Sequence, residues 1–150
     1  MDKYDCLKLE NQLCFPLYAC SREIIKKYNP LLKEIDLTYT QYIAMMVFWE
    51  QKKLSVKEIG QKLFLDSGTL TPVLKSLEAK GLVRRFRSSE DERVLLVEIT
   101  EKGENMKEKA VSVPPRVGSC VNLSPDEAME LYRLLYKILG ADDTTAEQTT

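Results

Sequence analysis

The sequence predicts a mainly α-helical domain with a short β-hairpin set inside it, on three observations. Thr38 with Gln41, Ser55 with Glu58 and Ser124 with Glu127 each have the Ser/Thr-x-x-Glu/Gln spacing of a capping box. Two apolar helical faces, Val56/Ile59/Gly60/Leu63 and Leu70/Val73/Leu74/Leu77, follow each other across the short link "FLDS". The hydrophobic period then drops from helical to two in "VLLVEIT", where Leu95, Val97 and Ile99 alternate with Leu96, Glu98 and Thr100.

Taken in order, a first helix is predicted from about Leu9 to Tyr28, stopping before "NPLL", with Leu13, Leu17, Ile24 and Tyr28 recurring near helical spacing. A second, "TYTQYIAMMVFWEQ", is apolar nearly all round and must be buried on most sides. The two short helices around "FLDS" form a helix-turn-helix, the second ending at Gly81 in a left-handed turn. "LVRRFR" and "VLLVEIT" then pair around the polar tip "SSEDER" as a two-stranded wing. A helix from about Glu101 to Val113 breaks at Pro114–Pro115, and a last helix spans Pro125–Leu139 with proline at its first position. The winged helix-turn-helix thus occupies 38–100, helical segments fill 1–37 and 101–140, and 141–150, "ADDTTAEQTT", has nothing to bury and is expected to be disordered.

Composition narrows the function classes. The chain has 150 residues, is 44% hydrophobic and 30% charged, and carries a net charge of −1. These values fit one globular domain with its own core. The longest apolar run, "YIAMMVFW", is far short of a membrane span, and "MDKYDC" lacks the apolar region of a signal peptide, so a cytoplasmic protein with no membrane partner is expected. Histidine is absent, which removes the commonest general base and metal ligand. No CxxC pair is present, and neither a metal nor a cofactor is predicted. Four cysteines are present. Cys14 and Cys20, six apart on a helix, lie about 9 Å apart along its axis and on different faces, which excludes a local disulfide between them.

The central segment points to DNA. A recognition helix in the major groove places short hydrogen-bonding side chains near its amino end. "DSGTLTPVLKSLEAKG" supplies Ser67, Thr69 and Thr71 there, with Lys75 a turn further on. From Lys75 to Arg93 the cations Lys75, Lys80, Arg84, Arg85, Arg87 and Arg93 outnumber the anions Glu78, Glu90, Asp91 and Glu92 by two, although the whole chain is negative. Such segregated charge serves phosphate contacts, and Arg85 and Arg93 are read with the recognition residues as DNA-binding. A solvated hairpin beside an ordinary polar cap would explain each feature singly; their ordered combination favours double-stranded DNA.

These residues also carry a resemblance. "LVRRFRSSEDERVLLVEITEKG" resembles the wing of MarR-type winged-helix transcription regulators in Asp91, Arg93, Ile99 and Thr100, with Ile for the usual Leu. "LENQLCFPLYACSRE", "LTYTQYIAMMVFWE" and "LFLDSGTLTPVLKSLEAKGLV" narrow it to the organic hydroperoxide sensor subgroup, the OhrR type, over nearly the whole chain. The resemblance implies a symmetric homodimer interlocked through the first and last helices, and a pseudo-palindromic operator. It implies that Arg93 enters the minor groove braced by Asp91, that Cys14 is the peroxide-sensing thiol, and that Tyr28 and Tyr39 hydrogen-bond it. In the two-cysteine branch a second cysteine from the opposite chain captures the oxidised thiol, and Cys120 falls where it is expected. Phe15, Ile43 and Met46 would then line an apolar pocket that favours organic peroxides. Pro16, after Phe15, departs from the commoner aliphatic residue. The function so implied is a repressor, not an enzyme, that leaves its operator when an organic hydroperoxide oxidises Cys14. Two alternatives stay open: a MarR-type regulator that binds a small aromatic ligand non-covalently, and a thiol peroxidase. Read in isolation, Cys14 would be a small apolar packing residue.

Overall fold

The computed structural model describes residues 2–141; of the tail predicted to be disordered, 142–150 lie outside the described residues. Two 3-10 turns, Asp5–Leu7 and Leu9–Asn11, precede α1 (Cys14–Lys33) and α2 (Tyr39–Gln51). Then follow β1 (Lys53–Ser55), α3 (Val56–Leu63), α4 (Ser67–Ala79), β2 (Val83–Arg87) and β3 (Leu95–Ile99). The chain ends in α5 (Glu101–Ala110), α6 (Val113–Gly118) and α7 (Pro125–Leu139). The fold is mainly helical, with a winged helix-turn-helix at its centre. It divides into two units, the first ending at Val117 and the second beginning at Gly118.

All three predicted capping boxes form. Thr38, Ser55 and Ser124 each accept a hydrogen bond from the backbone N–H three residues on, and Gln41, Glu58 and Glu127 reach back to the cap N–H. Gly81 ends α4 at φ 76° and Gly140 follows α7 at φ 77°, where a side chain would be strained. The turn between α3 and α4 is made by Phe64, a non-glycine residue at φ 55°. The Leu65 N–H donates to the Gly60 carbonyl at 3.0 Å. Gly60 permits that closure, because an added Cβ would lie 2.8 Å from the Leu65 oxygen.

Three expectations are corrected. The first helix starts at Cys14, not Leu9, and runs through Pro30 to Lys33. Proline removes one helical hydrogen bond, but the turn beyond it is held by fully buried Leu32, whose carbonyl accepts from the Ile35 and Leu37 N–H groups at 3.1 and 3.0 Å. Upstream, the Gln12 amide donates to the Cys6 and Lys8 carbonyls at 2.5 and 3.2 Å, which keeps 9–11 in a separate turn. The wing, predicted as a two-stranded hairpin, is part of a three-stranded antiparallel sheet of order β1-β3-β2. Leu54 pairs with Val97, and Arg85 pairs with Val97 from the other side. Finally, Pro114–Pro115 does not end helical structure; both prolines sit in the opening turn of α6, where missing N–H groups do no harm.

The core of the first unit is built from Met45 and Phe48 of α2, Ile59 of α3, Leu70, Leu74 and Leu77 of α4, Leu82, and Val97 of β3, all nearly or wholly buried. One stripe of α4 at i, i+4, i+7 therefore seats it, and the opposite face faces outward. α5 is locked on by the Trp49 indole N–H, which donates to the Gly103 carbonyl at 2.9 Å. At Gly103 an added Cβ would overlap the Leu82 carbonyl oxygen and stand 2.7 Å from Ile99 Cγ1. Gly103→Ala is therefore expected to cost about 2 kcal/mol of stability through overpacking, read as a lower urea midpoint at unchanged slope.

Candidate functional site

The outward end of α4 carries the residues predicted to meet DNA. Asp66 caps the helix, its Oδ1 accepting the Thr69 N–H at 2.9 Å. Ser67 and Thr69 are exposed in the first turn, and Lys75 is exposed further along. Thr71 is half-buried and its hydroxyl donates to the Ser67 carbonyl at 2.7 Å, which holds the helix closed just ahead of Pro72. At the wing tip Asp91 and Arg93 meet as the resemblance implies. The Arg93 N–H and Nε both donate to Asp91 Oδ1, at 3.1 and 3.0 Å, and a terminal nitrogen donates to Oδ2 at 3.2 Å. Arg93 nevertheless stays 90% exposed. The Arg93 side chain, then its backbone N–H, hold the Asp91 carboxyl below its usual range, so the brace is charged at neutral pH.

Arg85 has a different geometry. Its Nε and a terminal nitrogen both donate to Glu78 Oε1 at 3.1 Å, and its backbone N–H donates to Oε2 at 2.7 Å. Its side chain is only 22% exposed. The guanidinium faces α4 and joins it to β2. Arg84 is likewise engaged, by Glu98 at 2.8 Å and over the Phe86 ring. The charge count that signalled DNA therefore included cations held by carboxylates. Glu78, read in the sequence only as an anion, is the anchor of this part of the wing.

The thiol residues fall into separate groups. Cys14 is the first residue of α1 and is exposed, which rules out packing within this chain as its role. Phe15 beside it is also exposed. Tyr28 lies fourteen residues along the same unbroken helix, about 21 Å away at the standard helical rise. There it packs against Tyr39, with ring centroids 5.0 Å apart, and against Tyr42 at 5.8 Å. Tyr39, Ile43 and Met46 share one face of α2 at i, i+4, i+7 spacing, with Met46 exposed. The residues predicted to sense peroxide thus lie in two separate groups in one chain, Cys14 with Phe15 and the tyrosines with Ile43 and Met46. Cys120 is exposed in the turn after α6, in the second unit, with Ser119 Oγ 4.0 Å from its sulfur. Cys6 and Cys20 are exposed as well.

Tyr42 was missed as a partner of the tyrosine pair, although its spacing from Tyr39 signalled a shared face. It is buried, and its hydroxyl has no hydrogen-bond partner among the described residues. Burial, then the neighbouring Tyr28 and Tyr39, push the Tyr42 hydroxyl up to about 12. Burial and Tyr28 also raise Tyr39. Both hydroxyls are therefore protonated donors throughout the physiological range. Among the described residues no cluster of His, Cys, Asp and Glu could hold a metal ion, and no helix is long and apolar enough to cross a membrane.

Residues 26–110 match the family model "Transcriptional regulator SarA/Rot". The chain is 49% identical over 138 residues to an organic hydroperoxide resistance transcriptional regulator of Bacillus subtilis, covering 92% of this chain and 94% of that protein. It is 47% identical over 127 residues to the HTH-type transcriptional regulator SarZ of Staphylococcus aureus, covering 85% and 86%. Among solved structures it is similar to AbfR of Staphylococcus epidermidis. The reduced and the overoxidised forms of AbfR, each bound to DNA, both match with a TM-score of 0.75 at 36% identity, covering 93% of this chain and 97% and 98% of theirs. The disulfide-formed state of AbfR matches with a TM-score of 0.63 over 91% of this chain and 96% of that one. These relatives are regulators, not enzymes, which removes the thiol peroxidase alternative.

The tyrosine environment sets an alkaline limit. A hydroxyl raised in the folded state contributes stability that is whole below the unfolded value near 10 and is lost as pH rises through the folded one. The urea midpoint is expected to hold up to about pH 10 and then to fall toward the Tyr42 value of about 12. Tyr42→Phe should make that fall shallower, and an unchanged fall would place its origin elsewhere.

Proposed function

The chain belongs to the SarA/Rot family of transcriptional regulators, MarR-type winged-helix proteins of the organic hydroperoxide resistance class, and we propose that it is a cytoplasmic homodimeric repressor that leaves its operator when an organic hydroperoxide oxidises Cys14. The observation that carries this reading is the division of the sensing residues along α1. An exposed thiol opens a 20-residue helix, and the tyrosines that would serve it lie about four turns away in the same chain. Tyr28 and Tyr39 can reach Cys14 only in the partner chain, so the site is completed by dimerisation. The same pairing brings Phe15 of one chain toward Ile43 and Met46 of the other, an apolar lining suited to an organic peroxide.

The chemistry follows from that arrangement. A cysteine attacks a peroxide as its thiolate, and Cys14 stands exposed at the amino end of α1, open to such a reagent. Protonated tyrosine hydroxyls add hydrogen bonds to the charged form. The thiolate attacks a peroxide oxygen; the S–O bond forms, the O–O bond breaks, and the alkoxide leaves and takes a proton as the alcohol. The sulfenic acid is then attacked by the thiolate of the partner's cysteine, Cys120, giving the disulfide and water. This link favours a dimer geometry in which the two recognition helices no longer match half-sites about one DNA turn apart. Near-complete release demands about 5 kcal/mol of bias between the two geometries. A covalent bond supplies that bias; a single hydrogen bond, worth about 1 kcal/mol, does not.

A second reading has an observation of its own. An open apolar cleft of about 790 Å³ lies between α3, the amino end of α4 and the wing, with Val56, Phe64, Leu65 and Leu95 on its walls and Lys57 and Arg93 at its edge. It suits a small aromatic anion as a non-covalent effector. That response would survive Cys14→Ser, and the redox response would not.

Two measurements test the proposal. One equivalent of cumene hydroperoxide added to reduced protein should give, by intact mass under denaturing non-reducing conditions, a covalent dimer that is lost in both Cys14→Ser and Cys120→Ser. A monomer one oxygen heavier at Cys14 would keep the sensor and remove Cys120 from it; an unreacted Cys14 would end the redox reading. In DNA-binding titrations, Arg93→Ala should weaken affinity at least about tenfold and lower the salt slope by about one. Arg85→Ala should leave the slope in place and lower the melting temperature instead, because its guanidinium is held by Glu78.

A further inference from the structure

The carboxyl end of the recognition helix is gripped from two sides, and one of those grips begins at the tyrosine site. The Lys80 ammonium donates to the Asp36 carbonyl at 2.6 Å and to Gln41 Oε1 at 3.0 Å, and lies 3.7 Å from the Asp36 carboxylate. Its side chain is 28% exposed. Lys80, counted in the sequence among the cations open to phosphate, is thus bound to the turn that connects the helix of Tyr28 to the helix of Tyr39. That turn is tightly determined. Ile35 and Leu37 are buried and Asp36 adopts φ 56°.

Gln41 extends the connection. It is 6% exposed and belongs to the same opening turn of α2 as Tyr39 and Tyr42. Its Oε1 accepts the Thr38 N–H at 3.1 Å as well as Lys80, and its Nε2 donates to Ser76 Oγ of α4 at 2.8 Å. Two polar strands therefore join the tyrosine-bearing turn to the last turns of α4. On the other side, the Lys80 carbonyl accepts from Lys102 Nζ at 2.7 Å and the Gly81 carbonyl from the Thr100 hydroxyl at 2.6 Å. The amino end of α4, which carries Ser67 and Thr69, has no comparable polar hold in the described contacts; its cap is its own Asp66. The helix has 13 residues, about 20 Å of length. Fixing or shifting its carboxyl end re-aims its amino end.

We propose that Lys80, with Gln41 and Ser76, is the tether through which the state of the thiol site sets the orientation of the recognition helix. This rests on the redox reading above and adds to it the positioning residues that carry the signal. A lysine at a helix carboxyl end also favours the local carbonyls and dipole, and that role alone would affect stability without affecting the response to oxidation.

The test uses the full-length dimer and a duplex selected from a random pool by reduced wild-type protein. Cys14 oxidation by cumene hydroperoxide and DNA affinity before and after it are measured on the same samples. Lys80→Met is expected to bind DNA within about threefold of wild type when reduced and to oxidise at the wild-type rate. Its loss of affinity on oxidation should be about tenfold smaller, within the usual range of coupling between sites. Lys80→Arg, whose guanidinium reaches the same acceptors, should restore the response. Ser76→Ala, which cuts the second strand and leaves the ammonium in place, should blunt the response in part; it carries the test by itself if Lys80→Met proves unstable. Full release on oxidation in the folded variants overturns the tether while leaving the redox reading intact. A wild-type protein that oxidises at Cys14 and keeps its DNA overturns both.

Discussion

The constraint on which the rest depends is the straightness of one helix. α1 holds Cys14 and Tyr28 on a single rod, and no rotamer of either side chain spans four turns. On the proposed redox reading, a monomer therefore has the parts of a sensor without the sensor. In that reading association supplies what folding of one chain leaves undone, and it accounts for exposed apolar residues in the amino-terminal segment, Leu9, Leu13 and Tyr18, and, separately, on α7, Met129, Tyr132 and Ile138. So many large apolar side chains mark an interaction surface. Sensing and dimerisation are then one structural problem with one solution.

The DNA face obeys a different economy. α4 is seated by three leucines and presents its other side outward. Charge near it is only partly available to phosphate, because Glu78 holds Arg85 and Glu98 holds Arg84. The exposed Arg84–Glu98 pair adds little stability, whereas Arg85, largely covered, ties β2 to α4 through Glu78. Arg93 combines restraint by Asp91 with exposure, a geometry compatible with the minor-groove role that the resemblance implies. A chain of slightly negative net charge can thus address a polyanion from a small, ordered surface.

Much of this was legible in the sequence where local chemistry decides the structure. Capping boxes, the Gly81 stop and the change of period into β3 each act over a few residues, and each appears where expected. What escaped was decided by distant partners. β1 is three residues long and exists because β3 offers it an edge, so no alternation within it could announce it. Pro30 signals a stop, yet burial of Leu32 beyond it keeps α1 going. Arg85 and Lys80 have the same formal charge as Arg93, and only the placement of Glu78, Asp36 and Gln41 separates structural cations from exposed ones. For the proposed thiol site, the resemblance named candidate residues; their separation along α1 was not legible, since it follows from helix length rather than residue type.

The third strand has a consequence for how such a protein switches. With β1 hydrogen-bonded to β3, the hairpin is stitched to the segment that leads directly into α3 and on to the recognition helix. Wing and recognition helix are therefore linked twice, through β1 and α3 and through the Arg85–Glu78 pair. The positions proposed to meet DNA, Ser67 and Arg93, are thus carried on a common frame. In the proposed disulfide switch, a bond formed between the chains would reach wing and helix through this shared frame rather than one contact at a time.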